Sequence, residues 1–384
     1  MHIVFVGSSG VPNMGTASDT RLAFFANLLS IDNYVTILNR YASKYQINNG
    51  NISLNENVVV KDIIKPKETG AVKTIVFLLL SILFETFYLL KINRNRHIDI
   101  IHVYSGHYID FVLYRVLSRL IGAKVVYQFV EYRSKIQRKG MYHRLNGYLC
   151  DYKGAKLWDG CIPISTFLQE KAFEVNNGLK QIKITPLCDF RIFDNVTTTK
   201  DIGYPYLLFC GSVRYTEPLD LIIESYQNSI IKEKYKLVLI LSGSENEINT
   251  IKRNHPNFII VSRIPYIELI QYYKGASILL IPLRDSIQDI ARFPNKICEY
   301  TASHGAILTT NFGEICNYFK DGQNAIVAEE FNVNSFTEKL DDIANRKYNL
   351  MEIRKNAYKL GIDNFSIRAY KDKLNLFFRE LCSK

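Results

Sequence analysis

What most constrains this chain is a rhythm. Short runs rich in Val, Ile and Leu, with no polar alternation, are separated by segments of helical spacing. In the first half the runs are His2–Val6, Val35–Leu38, Val58–Ile64, Ile98–Val103, Lys124–Phe129, Cys161–Ile164 and Ile182–Thr185. Helical patterns such as Asp19–Leu29 and Tyr108–Leu120 fit between them. Strands buried on both faces produce runs of this kind. Their alternation with helices over short connections implies a parallel, doubly wound sheet.

After a looser stretch, Asp194–Gly203, the rhythm restarts with Tyr206–Cys210, Lys236–Leu241, Phe258–Ser262, Ile278–Pro282, Ala306–Thr310 and Ala325–Ala328. A chain of 384 residues is too long for one ordinary domain. The expectation is therefore α/β, with two Rossmann-like parallel-sheet domains and a linker near 190–203. The N-terminus, Met1–Gly7, reads as a first strand rather than a signal peptide. The seven cysteines show no CxxC pair and no metal-ligand spacing, so they read as small buried hydrophobes in a reducing compartment.

Thr74–Leu90 is almost wholly apolar and is bounded by Lys73 and Lys91. Spanning a bilayer takes roughly 20 apolar residues. This run has 17 and carries Glu85, which argues against a span. A buried helix packed on the sheet is favoured over a helix lying in a membrane surface, and the adjoining Lys91, Arg94 and Arg96 keep the second reading open. Charge is also uneven. Residues 1–200 hold 25 Lys and Arg against 15 Asp and Glu, whereas 201–384 hold 23 against 22. A basic first half suits an anionic partner or simply a solvated surface. It carries no helix-turn-helix, zinc or RNP-type signature, so nucleic acid is set aside.

In open parallel sheets ligands bind at the carboxyl ends of strands, where loops lead into helix N-termini suited to phosphate. Three loops qualify. Gly7–Gly10 with Gly15 and Thr16 follows the first strand, without a GxGxxG fingerprint or a P-loop. Gly211, Ser212 and Arg214 open the second domain. The third, Arg292-Phe293-Pro294-Asn295-Lys296, leads to Glu299. Lys296 and Glu299, three apart, share a helix face. There a carboxylate can accept from a ribose diol while the ammonium offsets phosphate charge. On spacing alone, a plain exposed ion pair is the favoured reading.

Motif order adds to this. Pro12, Gly15, Ala17 and Arg21 after the first strand, Asp99–Val103, Ile162-Pro163-Ile164-Ser165 with Leu168, and Pro186–Asp189 with Phe193 come in turn. Ile264–Tyr273 with Ala276 and Ile281-Pro282, Pro294-x-Lys296-x-x-Glu299-Tyr300, Gly305, Gly313-Glu314, Asp321-Gly322-x-Asn324 and Asn364-Phe365-Ser366 complete the series. Nearly end to end, the chain resembles the GT-B glycosyltransferases, specifically the large retaining family numbered 4.

That resemblance implies an acceptor-binding domain over 1–190, a nucleotide-sugar-binding domain over 203–365, a cleft between them, and a last helix, 366–384, returning to the first domain. It implies transfer of a sugar from a UDP- or GDP-linked donor to a glycan or lipid-linked acceptor in surface polysaccharide biosynthesis. Retention at the anomeric carbon is implied too, with no cofactor and no metal. Gly15, Thr16, Gly211, Ser212, Arg214, Pro294, Asn295, Lys296 and Glu299 are then the donor-nucleotide residues. Arg292, Phe293 and Gly313 face the donor sugar, and Glu131, Arg214 and Lys296 are the catalytic candidates.

The sequence departs from the family at three places. The first glutamate of the E-x7-E motif falls at Ala291. The Arg and Lys of the diphosphate clamp fall at Ser212 and Glu217, which leaves Arg214, Arg292 and Lys296 as substitutes. These losses motivate a second reading, a degenerate GT-B protein acting as a binding or partner subunit. Glu131, at a strand end, is either a sugar-contacting acid or the ion-pair partner of Arg133. The basic, aromatic stretch Arg133–Arg144 is expected to attach the protein peripherally to anionic lipid on the cytoplasmic face of a membrane.

Overall fold

The computed structural model describes residues 1–9, 11, 17–41, 54–64, 71–136 and 140–383. They divide into two compact units, Met1–Leu187 with Ile367–Lys384, and Cys188–Ser366. The first unit begins with β1 (His2–Ser9), α1 (Ala17–Leu29), β2 (Tyr34–Tyr41), β3 (Val58–Ile64) and α2 (Ala71–Asn95). It continues through β4 (Ile100–Val103), α3 (Tyr108–Ile121), β5 (Lys124–Phe129) and α4 (Met141–Lys153). β6 (Gly160–Pro163), α5 (Thr166–Val175) and β7 (Lys180–Gln181) complete its sheet.

The strands pair in parallel in the order β3-β2-β1-β4-β5-β6-β7. β4 and β6 are buried along their whole length, which is why their sequences show no alternation. The expected strand at Ile182–Thr185 is replaced by the short edge strand β7. Ile182 and Ile184 still donate to the carbonyls of Cys161 and Pro163, but the carbonyls of Ile184 and Thr185 are taken by the Arg21 side chain rather than by another strand.

The second unit contains α6 (Phe190–Asp194), β8 (Tyr206–Ser212), α7 (Thr216–Asn228), β9 (Lys236–Ser242), α8 (Glu245–Asn254) and β10 (Ile259–Val261). Then come α9 (Tyr266–Gly275), β11 (Ile278–Ile281), α10 (Ile287–Ala291), α11 (Lys296–Ala302) and β12 (Ile307–Thr310). α12 (Ile315–Tyr318), β13 (Ile326–Ala328), α13 (Val333–Ala344) and α14 (Leu350–Phe365) end it. Its parallel order is β10-β9-β8-β11-β12-β13. Residues expected as a linker are bound into this unit: Lys200 N–H donates to Gln271 O, and its ammonium pairs with Glu268 at 2.9 Å. The two parallel α/β sheets are those the rhythm of the sequence predicts.

α15 (Lys371–Cys382) belongs to the first unit and packs on α1. Leu374 and Phe378, both fully buried, join Phe5 and Phe25 in its core. Burial of each contributes about 1.5–3 kcal/mol. His102, with no polar partner, stacks on Phe5 at 4.5 Å and meets Phe25 and Phe378 edge-on. Burial pushes its pKa down to about 3, so it stays neutral and serves as core.

α2 overturns the expectation of a helix buried by its apolar residues. The face turned to β2, β3 and α3 carries Ser81, Glu85 and Leu89, all buried. Leu80, Leu83, Phe84, Phe87 and Leu90 are exposed on the opposite side. Glu85 is held by Arg40 of β2 at 2.8 Å and by the hydroxyl of Tyr114 of α3 at 2.8 Å. Among the described residues, no helix is long and apolar enough to cross a membrane.

Candidate functional site

In each sheet the strand order reverses once, between β1 and β4 and between β8 and β11. Such switch points open a crevice at the strands' carboxyl ends. In the second unit β8 ends there in Gly211 and Ser212. A Cβ on Gly211 would lie 2.5 Å from the Phe209 ring, so close packing of that ring demands glycine. The Ser212 hydroxyl accepts from the Arg214 N–H at 3.3 Å, and the Arg214 side chain is exposed.

α11 supplies the charged pair. Pro294 and Asn295 form its lead-in, their carbonyls accepting from Ile297 and Cys298 N–H. Lys296 and Glu299, both half-buried, follow on one face. Glu299 is anchored twice: Tyr266 donates to Oε1 at 3.2 Å and Tyr273 to Oε2 at 3.3 Å. Burial raises its pKa, outweighing the Lys296 charge and the two hydroxyls, which lower it. Burial alone would lower Lys296; the pull of Cys210, Glu299 and Tyr215 leaves its ammonium above its ordinary value. The end of β8, Lys296 and Glu299 thus form one electrostatic group holding a stable cation and a fixed carboxylate.

Tyr266 and Tyr273 were not singled out as site residues from the sequence. The available signal was their spacing of seven on α9, which places them on one helix face. Ala291, where the family's first glutamate falls, is fully buried. The nearby acid, Asp289, is engaged by Arg284 through bonds of 2.9 and 3.0 Å. Arg284 also meets Glu217 at 3.3 Å. The cation that meets Glu217, where the clamp lysine is lost, is therefore already matched by two carboxylates.

The expected donor-sugar residues do not all face outward. Phe293 is 2% exposed and lies between Tyr318 and Phe365, with centroids 5.6 Å away in both cases. Its side chain is core. Gly313, at φ +59°, brings its backbone against Ile290 of α10, where a Cβ would lie 3.2 Å from Ile290 Cα. Arg292 is half-buried just after α10.

In the first unit Gly7 ends the regular part of β1 at φ +77°, with a would-be Cβ 2.8 Å from Ser105 Cβ. Glu131 follows β5 and meets Arg133 at 3.8 Å. Arg133, expected on a lipid-facing surface, instead turns inward, its guanidinium against Gly106. Gly15 and Thr16, like Arg138 and Lys139, lie outside the described residues. Arg21 is buried and ties β5 to the segment after β7, bonding Gln128 at 3.1 Å and the carbonyls of Ile184 and Thr185 at 2.7 Å. Among the described residues there is no group of three or more His, Cys, Asp or Glu that could hold a metal ion.

Residues 192–360 match the family described as glycosyl transferases group 1. No curated protein sequence matches the chain. Among solved structures it is similar to a sucrose-phosphate synthase from Thermosynechococcus elongatus, at TM-score 0.76 and 11% identity over 99% of both chains. A glycosyltransferase from Rickettsia africae aligns at TM-score 0.71 and 14% identity, over 100% of this chain and 99% of that one. Anabaena HepE in complex with UDP-glucose aligns at TM-score 0.69 and 11% identity, over 99% and 100%. The chain therefore has the two-domain fold of the GT-B glycosyltransferases, and its residues 192–360 match the group 1 glycosyl transferases.

Proposed function

We propose that the protein transfers a sugar from a nucleotide-sugar donor, UDP- or GDP-linked, to a glycan or lipid-linked acceptor. The transfer retains the anomeric configuration, needs no metal, and serves surface polysaccharide biosynthesis on the cytoplasmic side of a membrane. The observation that carries this reading is the twice-anchored Glu299 and, three residues before it, the Lys296 cation, which feels both Glu299 and Cys210 at the end of β8, a strand at the switch point of the second sheet. A carboxylate fixed by two hydroxyls keeps lone pairs free for a ribose diol. The ammonium beside it offsets charge growing on the leaving diphosphate. UDP-glucose in the Anabaena neighbour supports a sugar nucleotide as donor.

A thermal-shift screen with UDP, GDP, ADP and CMP, followed by titration of the best ligand, tests it. UDP or GDP is expected to raise the melting temperature. Lys296→Ala and Glu299→Gln should each weaken binding about tenfold, as for a lost charge-assisted bond. Unchanged affinity in both variants would refute the site. Turnover should persist in EDTA. One observation favours a second reading: Ala291 is buried, and Arg284 is already matched by Asp289 and Glu217. A binding subunit would take up the nucleotide yet consume no sugar nucleotide from a broad panel.

A further inference from the structure

α2 sits on the first unit the wrong way round for a helix in water. Its seat is polar and its outer face is apolar. Leu83 and Phe87 are 65% and 60% exposed, with Leu80, Phe84 and Leu90 beside them. Steps of three and four residues put all five on one stripe. Contiguous exposed apolar residues of this kind mark an interaction surface. One turn further on, Lys91 and Arg94 are exposed on the same side, and the outward face of this stretch carries no acidic residue.

α3 packs against both α2 and α4, so the three form a neighbouring row. α4 exposes Tyr142, Leu145 and Tyr148 along one edge, with Arg144 among them. Amphipathic rings beside basic side chains suit the headgroup level of a bilayer. Lysine and arginine stems can lie along apolar surface while their heads reach phosphate.

We propose that the outward face of α2, from Leu80 to Arg94, docks in the plane of an anionic bilayer surface, with the outer edge of α4 as a second contact. An apolar stripe ending in a basic collar complements acyl chains beneath anionic headgroups. A second copy fits it less well. A two-fold contact brings the same patch against itself, and a stripe flanked by Lys91 and Arg94 would then meet like charge. The inference does not depend on the glycosyl-transfer reading, because vesicle binding is measured without donor or acceptor.

The test is flotation of the full chain with vesicles of phosphatidylcholine alone or with phosphatidylglycerol, at low and high salt. The wild-type chain is expected to float with the phosphatidylglycerol vesicles. Leu83→Glu with Phe87→Glu should cut partitioning by at least about tenfold. Lys91→Glu with Arg94→Glu should lose the preference for anionic lipid, by about fivefold per residue. Both positions in the first pair are exposed, so its circular-dichroism melt should match wild type; if it does not, Leu83→Gln with Phe87→Gln replaces it. Three results overturn the proposal: a wild-type chain that stays soluble with anionic vesicles, a Leu83/Phe87 variant that floats like wild type, or a wild-type dimer by light scattering that this variant makes monomeric while vesicle binding is absent.

Discussion

Arg40 is the pin on which α2 turns, and replacing it with leucine is the most informative single change in the first unit. Its Nε donates to Glu85 at 2.8 Å, and Nη2 donates to Asp110 and to the Tyr114 hydroxyl, both at 2.9 Å. Tyr114 in turn donates to Glu85 at 2.8 Å, and the Ser105 hydroxyl donates to Asp110. The Arg40, Glu85 and Asp110 side chains are 7%, 0% and 1% exposed. Removing the cation leaves two buried carboxylates facing each other. Breaking a buried pair in this way costs about 3–5 kcal/mol, or a fall in melting temperature of about 10 °C for a unit of this size. Burial already raises the pKa of Glu85 against the downward pull of Arg40, so without Arg40 it rises further. A carboxyl raised in the folded state contributes stability that is present below its unfolded pKa and lost as pH rises through the folded value. The Arg40→Leu deficit should therefore be larger at pH 8 than at pH 5, and adding Glu85→Gln should recover part of it at pH 8. Thermal melts of the three proteins at both pH values decide the matter. A deficit below about 1 kcal/mol, or one equal at pH 5 and pH 8, would show that the network is not what seats the helix.

Two further changes probe the switch points. At 3.3 Å the Tyr273–Glu299 bond is long for an O–H donor, so Tyr273→Phe should weaken nucleotide binding only about fivefold, or about 1 kcal/mol. Calorimetric titration of this variant and of the Tyr266→Phe/Tyr273→Phe double should show the loss growing, and an unchanged double would remove the anchoring role. Gly7→Ala places a Cβ 2.8 Å from Ser105 Cβ at a φ of +77°. It should lower stability by about 1–3 kcal/mol, and an unaltered melt would sink the close-approach argument.

Both sheets were legible because parallel strands buried on two faces mark themselves by composition. Val58–Ile64 and Lys124–Phe129 emerge with the bounds their apolar runs suggest. Several family motifs were legible for a more local reason. Ser165 of the Ile-x-Ile-Ser stretch caps α5 by accepting from Leu168 N–H, and Asp189 of the Pro-x-x-Asp stretch caps α6 by accepting from Arg191 N–H. Asp321 and Asn324 bind backbone N–H groups of Val327 and Lys320 around Gly322, at φ +71°. Such residues recur in sequence because they end and begin elements. Lys296 and Glu299 could be matched by helix spacing, but the tyrosines that fix Glu299 come from a helix three elements earlier, and their spacing of seven puts them on one face without saying what that face meets.

The orientation of α2 was hidden for the same reason. An apolar helix with one glutamate reads as a core helix unless the partners of that glutamate are known, and they come from β2 and α3. Arg133 shows the converse error, since a basic residue in a charged run turned out to point inward. Helix seating here is decided by where an opposite charge waits, and the apolar residues take whichever side remains. Glu85 also accepts from the Gly7 N–H, at 3.4 Å. The polar seat that holds the apolar stripe of α2 outward is thus tied to the glycine turn at the first switch point. A perturbation of Arg40 should accordingly be felt in two places, as a looser α2 on the vesicle surface and as a displaced turn at the end of β1. Variants that act only on the stripe, Leu83→Glu and Phe87→Glu, should leave that turn untouched.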